Sequence, residues 1–162
     1  MFRPMRRHGQ QLLEAESRAI LERGSSGVLA VLGDEGYPYA VPLSYDVCGN
    51  TLYFHCAKAG HKLDAVRRHE KASFCVIDQD QVVPAEYTTY YRSVIAFGRV
   101  RETTEPAELR QAICHLADKY APQESTEHRD HAIEKEMPAL CMLALDIEYL
   151  TGKEAIELKR SR

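Results

Sequence analysis

Six apolar segments that have the pattern of β-strands follow one another along the chain, and most are joined by short turns rather than long helices. Strands in such a succession pair with antiparallel neighbours, whereas a doubly wound parallel sheet needs a long helix between consecutive strands. The pattern predicts a mainly β fold of the α+β class, an antiparallel sheet or barrel of six or more strands with helices outside. The predicted strands are residues 27–32, 39–46, 51–55, 72–77, 91–102 and 140–147.

Helical patterns and one proline refine this arrangement. Four segments are predicted to be helices, at residues 10–23, 61–69, 105–122 and 126–136. Gly24 follows the first helix and is a typical stop, and Pro106 suits the first turn of the third. Pro42 lies inside the strand at 39–46 and has no N–H to donate to a ladder. That strand is therefore expected at an edge of the sheet, or bulged at this residue.

Composition restricts the classes of partner and compartment. The 162 residues, of which 44% are apolar, suit one domain over 1–162 with a proper core. A net charge of −3 gives no basic field for nucleic acid or an anionic membrane. Five scattered cysteines without a CxxC pair indicate reduced thiols. The basic start lacks the apolar stretch of a signal peptide, and no apolar run approaches the ~18–20 residues of a membrane span. We expect a soluble, cytoplasmic protein.

The stretch FHCAKAGHKLDAVRRHEK, residues 54–71, predicts an anion site. An apolar strand leads through a small-residue turn into a short basic helix, and a helix start offers unpaired N–H groups with partial positive charge. Gly60 permits close approach of a ligand, and His61 and Lys62 add donors and charge. Lys62 opposes the helix dipole at this position unless an anion binds there. The alternative interpretation is a solvated basic helix.

Metal binding and nucleophilic catalysis have weaker support. His55 and His61 flank Cys56, and His128 and His131 stand three residues apart, but neither set has the spacing of a familiar zinc site, so no metal is expected. The chain contains no G-x-S-x-G motif. Adjacent residues of a strand point to opposite faces, so His55 and Cys56 need not cooperate, and Cys56 is interpreted as part of the core.

Several segments in order along nearly the whole chain resemble one known group of proteins. They resemble the FMN-binding split β-barrels of the pyridoxamine 5'-phosphate oxidase-like superfamily and, within it, the nitroimidazole-resistance (Nim) family. The matching segments are FRPMRR, SGVLAVLGDEGYPYAVPLSY, YFHCAKAGHK, ASFCVI, YTTYYRSVIAFGRV, KYAP and LTGKE.

The resemblance implies a homodimer with FMN in clefts between the subunits. It also implies flavin-mediated reduction of a nitro group to an amine on a small heteroaromatic substrate such as a 5-nitroimidazole. His55 is the implied catalytic residue near the flavin. The implied cofactor-binding residues are Pro42, Leu43, Ser44, His55, Ala57, Gly60, His61 and Lys62, with Tyr91, Ser93 and Lys153 contributed by the partner subunit.

Three departures from the superfamily pattern shape these expectations. The oxidases' substrate-phosphate residues have no convincing counterparts near the C-terminus, so oxidation of pyridoxamine phosphate is not expected. Ala57 replaces a residue that is often serine or threonine, and His61 replaces an arginine, which weakens the phosphate clamp. The alternatives are another flavin reductase or oxidase, and a non-enzymatic protein that binds FMN or haem.

Overall fold

The computed structural model describes residues 1–160, and residues 161 and 162 of the predicted domain lie outside the described residues. The strands are β1 Ser26–Leu32, β2 Pro38–Ser44, β3 Asp46–Cys48, β4 Thr51–Ala57, β5 Lys71–Val83, β6 Thr88–Glu102 and β7 Leu140–Glu154. The helices are α1 Glu14–Arg23, α2 His61–Arg68, α3 Pro106–Tyr120, α4 Thr126–Glu136 and α5 Ile156–Arg160. None of these helices has the length and apolar character that crossing a bilayer requires.

All seven strands belong to one antiparallel sheet in the order β2-β1-β5-β6-β7-β4-β3. The sheet curls until some Cα atoms of β2 and β4 lie within 8 Å of each other, although these strands are not hydrogen-bonded neighbours. The predicted mainly β, antiparallel split barrel with peripheral helices is confirmed. β2 is an edge strand, as the position of Pro42 predicts.

Two hydrophobic cores hold the helices on the sheet. The main core fills the inside of the curl and includes the fully buried Leu29, Phe54 and Phe74. A second core lies on the outer face, where α3 and α4 pack over Met142 and Leu140 of β7. Burying one such aliphatic or aromatic side chain stabilises the fold by about 1.5–3 kcal/mol, so the smaller core is enough to seat both helices.

Several predicted boundaries differ from the structure because of pairing that the local pattern does not show. The strand predicted over 140–147, for example, continues to Glu154 and pairs with β6 along this added length. The helix predicted from residue 10 begins at Glu14, since Gln11 forms a bridge with Lys153 and the Leu12 N–H donates to the Gly152 carbonyl at 2.9 Å. The strand predicted over 72–77 continues to Val83. Its polar second half pairs with β6.

Candidate functional site

The start of α2 is open to a ligand, and no side chain caps it. β4 ends at Ala57, and the chain turns through residues 58–60 into the helix at His61. Gly60 has φ 130°, a conformation that L side chains rarely adopt, and a Cβ placed there would meet nothing within 4 Å. The first α-helical backbone bond runs from Asp64 N–H to the Gly60 carbonyl at 3.1 Å. The N–H groups of the first turn are therefore available to an anion.

Lys62 and His61 are placed differently at this helix start. The His61 ring stacks on Tyr39, with centroids 4.1 Å apart, and its Nε2 lies 3.4 Å from Asp34 Oδ2. Arg68 donates to the other Asp34 oxygen at 2.5 Å, and this hydrogen bond lowers the pKa of the Asp34 carboxyl. Lys62 forms no ion pair with any residue in 1–160. Its charge and that of the exposed Lys58 in the preceding turn are available to an anion here, while the imidazole of His61 is directed towards a carboxylate.

The predicted residues of β2 and β4 divide by face. Pro42, Ser44, His55 and Ala57 are all exposed and lie on the outside of the barrel. Leu43 points the other way and packs against the main core. Four of these five predicted contacts could therefore meet a ligand lying along the outer surface. Leu43 could reach it only through its backbone.

A cavity of about 490 Å³ opens beside Ser44 and His55, between the sheet and the helices α3 and α4. Its walls are almost entirely apolar and include Ile113, Leu116 and Ile133. Polar and charged residues from the α3–α4 connection and α4 are also part of the lining. They are Glu124, His128, Arg129 and Glu136. A largely apolar chamber of this size with two imidazoles in its lining, those of His55 and His128, suits a small flat ring.

Hydrogen bonds fix the first turn of α3 above β4. The Tyr53 hydroxyl donates to Glu108 Oε1 at 2.9 Å, and Arg101 donates to both Glu108 oxygens at 2.7 and 3.0 Å. Burial, followed by the Glu108 carboxylate, raises the pKa of Tyr53 to about 12, while the Arg101 hydrogen bond lowers the pKa of Glu108. Tyr53 and His55 lie two residues apart on one face of β4, so this network holds α3 on the same face of the strand as the cavity.

The other end of α3 is held by Tyr120, which lines the cavity. Its hydroxyl accepts a hydrogen bond from the Tyr45 N–H at 3.0 Å and donates to the Ser25 carbonyl. Tyr45 is fully buried and donates its own hydroxyl to the Leu21 carbonyl at 2.6 Å. Both ends of α3 are thus fixed, and the cavity wall is supported by the sheet.

The remaining predicted residues lie elsewhere. Ser93 is paired with Lys153 across β6 and β7, and Lys153 Nζ lies 5.4 Å from the centroid of the Tyr91 ring. His55 is paired with Met142 of β7, eleven residues before Lys153 on the same strand. At about 3.3 Å per residue, that is roughly 36 Å along the strand path. Within one subunit, the residues around Lys153 therefore lie far from His55.

The sequence missed the cavity and its walls. Part of the apolar face of α3 packs in the second core. That α3 and α4 leave a chamber between them depends on the angle at which they meet, which no sequence motif indicates. His128 Nδ1 lies 2.6 Å from Glu124 Oε2. Within residues 1–160, no group of three or more His, Cys, Asp or Glu side chains could hold a metal ion.

Comparisons with known proteins were made for the sequence and for the fold. A family model described as pyridoxamine 5'-phosphate oxidase matches residues 14–154. Among curated protein sequences, none matches significantly.

Three similar solved structures illustrate the range of proteins with this fold. A candidate 5-nitroimidazole antibiotic resistance protein from Bacteroides thetaiotaomicron has a TM-score of 0.75 at 19% identity, covering 89% of this chain and 86% of that one. A flavocytochrome from Azotobacter vinelandii has a TM-score of 0.75 at 20% identity, covering 94% of this chain and 72% of that one. An FAD and haem binding protein from Mycobacterium smegmatis has a TM-score of 0.74 at 24% identity, covering 90% of this chain and 73% of that one. At these identities the likeness shows the shared fold.

Proposed function

Because the chain belongs to the pyridoxamine 5'-phosphate oxidase family, we propose that it is an FMN-dependent oxidoreductase that reduces the nitro group of 5-nitroimidazole-type compounds to an amine. The observation that carries this proposal is the junction of two features on β4. The strand leads directly into the open helix start at Gly60, and its His55 lies at the wall of an apolar cavity. An anion site beside a chamber for a flat ring suits a phosphorylated flavin and its substrate.

The residues present fit the phosphate of FMN. Backbone N–H groups at the start of α2 and the Lys62 ammonium supply donors and positive charge, and Gly60 leaves space for close approach. Ala57 has no hydroxyl to add, so the backbone and Lys62 carry most of the binding. Pro42 and Ser44 lie on the outer surface that the flavin ring would cover, with Leu43 offering its backbone between them.

Each part of the chain has a separate task in the proposed reaction. When bound, FMN supplies the electrons for nitro reduction. The apolar walls exclude water and hold the substrate ring flat. Reduction of a nitro group to an amine consumes protons as well as electrons, and the His55 imidazole is placed to deliver a proton to the substrate in the cavity.

We also propose that the working form is a homodimer. Val28 and Leu32 of β1 and Ile77 of β5 lie on the outer face of these strands and are exposed at 36%, 47% and 64%. An apolar surface of this kind is typical of an interface. A second copy would also bring Tyr91, Ser93 and Lys153 to the flavin of the first, which one subunit alone does not achieve. Sedimentation velocity of the purified protein tests this, with a monomer at micromolar concentration as the contrary result.

A second candidate function is the non-enzymatic binding of haem. It is favoured by the fold shared with an FAD and haem binding protein and a flavocytochrome, and by the His55 imidazole at the cavity, since histidine is a common axial ligand of haem iron. In this case the purified protein has a Soret band and no flavin fluorescence.

The test begins with the absorption spectrum of the purified protein, with and without added FMN, FAD or haem. The FMN-loaded protein is then reduced anaerobically with dithionite, freed of excess reductant, and mixed with about one third of a molar equivalent of 2-methyl-5-nitroimidazole, because reduction of a nitro group to an amine takes six electrons and each reduced flavin supplies two. We expect return of the oxidised flavin spectrum and formation of the amine, detected by mass spectrometry. Bound flavin that stays reduced after the nitro compound is added indicates a binding protein. Failure to bind FMN overturns the proposal.

The matched variant is His55→Ala. If His55 delivers the proton, this change slows the return of the oxidised flavin spectrum without weakening FMN binding. Glu134→Ala, on an exposed position of α4 outside the cavity lining, is the control and leaves the rate unchanged.

A further inference from the structure

Two cysteines distant in sequence face each other across neighbouring strands. Cys56 of β4 and Cys141 of β7 are direct partners in the antiparallel register, so their side chains lie on the same face of the sheet. Opposed residues in an antiparallel pair have Cα atoms about 4.5–5.5 Å apart, and disulfides span Cα separations of about 4.4–6.8 Å. The two thiols are close enough for each to affect the pKa of the other, and neither is in a disulfide. The backbone there already has the separation that a disulfide requires.

Charged groups surround this pair. Cys141 Sγ donates to Glu102 Oε2 at 3.8 Å, and Arg67 donates to both Glu102 oxygens at 2.6 and 3.0 Å. The Arg67 hydrogen bonds lower the pKa of Glu102, so its carboxylate stays ionised and accepts the hydrogen bond from the Cys141 thiol. Lys62 is close enough to Cys56 to favour its thiolate electrostatically. The positive charge of Lys62 therefore favours Cys56 as the attacking thiolate, whereas Glu102 holds Cys141 as the thiol.

The two thiols differ in access. Cys56 is partly exposed, whereas Cys141 is buried, with 8% of its surface exposed. A small disulfide in solution can reach Cys56 but not Cys141. The exposed thiol is thus placed to react first, and the buried thiol to resolve the product.

We propose that Cys56 and Cys141 are a site of reversible oxidation, which forms a disulfide by exchange with low-molecular-weight disulfides. The Cys56 thiolate attacks one sulfur of the small disulfide and displaces its first thiol. The Cys141 thiolate then attacks the Cys56 sulfur of the mixed disulfide and displaces the second. The two protons lost by the cysteines end on the two released thiols. The protein pair is oxidised by two electrons, and the small disulfide is reduced by two.

The other cysteines have no such partner. Cys75 is paired with Val28 and Ile95, Cys48 is paired with Thr51, and Cys114 lies on α3. The proposal thus predicts one specific bond, and it does not depend on the proposed flavin chemistry. Burial raises the pKa of Cys56 and raises that of Cys141 to about 12, so exchange at neutral pH is slow and mildly alkaline conditions suit the test.

The experiment treats the purified full chain with oxidised glutathione at about pH 8.5, quenches with acid, and counts thiols after denaturation. Five free thiols are expected to fall to three, with a peptide map that joins Cys56 to Cys141 and a return to five on reduction. Cys141→Ser is expected to hold one glutathione on Cys56, because the resolving thiol is missing. Cys75→Ser is the matched control and loses two thiols as the native chain does.

Two results would overturn the proposal. One is the retention of all five thiols by the folded native chain over many hours in excess oxidised glutathione. The other is a peptide map that joins any other pair of cysteines. Both results come from the native chain, so neither depends on whether a variant folds, and circular dichroism before and after oxidation verifies that the fold is intact.

Discussion

The start of α2 and the cavity under α3 and α4 are neighbouring regions that differ in construction. The helix start consists of backbone groups, an unusual glycine conformation and the ammonium group of Lys62, all close together in sequence. The cavity is lined by residues from two helices and three strands that are up to about a hundred residues apart in sequence. One region needs only local geometry, and the other needs the whole fold.

This difference separates affinity from chemistry in the proposed enzyme. A few polar contacts at the helix start would anchor the cofactor through its phosphate. The apolar cavity would select and orient the substrate, with His55 between the two regions. Changes confined to one region should therefore affect one function and spare the other.

The largest expected effect is on the binding of the FMN phosphate at the start of α2. Lys62→Ala is expected to weaken FMN binding about 10- to 100-fold, since a hydrogen bond to a charged group contributes about 1.5–3 kcal/mol. Titration followed by quenching of flavin fluorescence measures this change. Riboflavin lacks the phosphate, so its affinity should be unchanged. Lys71→Ala, an exposed lysine at the start of β5, is the control. Equal loss for FMN and riboflavin would place the phosphate elsewhere.

The next effect concerns the cavity. Ala132→Trp adds a large ring at an exposed position that lines the chamber, so the variant should fold while the space for substrate is lost. We expect kcat/KM for the nitro compound to fall at least about tenfold, which corresponds to 1.4 kcal/mol, with FMN affinity unchanged. Glu134→Trp, on the same helix but outside the lining, controls for the added ring. If both variants react at the native rate, the substrate binds outside this cavity.

A smaller effect on stability is expected from the contact that seats α3. The pKa of Glu108 is lowered from its ordinary value of 4.5, so its ion pair contributes stability that is present above that pH and lost as pH falls through the lowered value. Glu108→Gln should cost about 1–2 kcal/mol at pH 7. Urea unfolding of this variant at pH 7 and pH 3 should show a smaller acid-induced loss of the free energy of unfolding than the native chain shows. The control variant Glu134→Gln should lose as much as the native chain.

The smallest effect is expected at His61. Because its ring stacks on Tyr39 and faces Asp34, His61→Ala should weaken FMN binding less than about threefold, or under 0.7 kcal/mol. The same fluorescence titration measures it. A loss as large as that of Lys62→Ala would mean that the imidazole turns towards the phosphate when FMN binds. Asp34→Asn should then strengthen binding by releasing the ring.

Local patterns predicted the fold more completely than the site. Alternating apolar residues and turn signals identified six of the seven strands, and the motif resemblance correctly indicated the family. The α4 boundaries at 126–136 are also as predicted. These features depend on neighbours in sequence, where side-chain periodicity and capping residues operate directly.

Features that depend on distant pairing were not predictable. The contact of Cys56 with Cys141 follows from the register of β4 on β7. Cys56 does pack against the main core, as its sequence position indicates, but the sequence does not show its partner. The His61–Asp34 contact follows from the turn after β1 reaching α2. The cavity follows from helix packing. Each needs three-dimensional coordinates, because residues far apart in sequence carry no signal of their separation in space.

The length of β7 has a consequence for mixed dimers. This strand runs fifteen residues from Leu140 at the cavity to Glu154, next to Lys153. In the proposed twofold dimer, each flavin site would combine Lys62 of one subunit with Lys153 of the other. A heterodimer of one Lys62→Ala subunit and one Lys153→Ala subunit would then have one site with both lysines and one with neither. Each heterodimer would thus have half of the native FMN capacity, and an equal co-refolded mixture, in which about half of the dimers are heterodimers, would restore about a quarter of it by complementation.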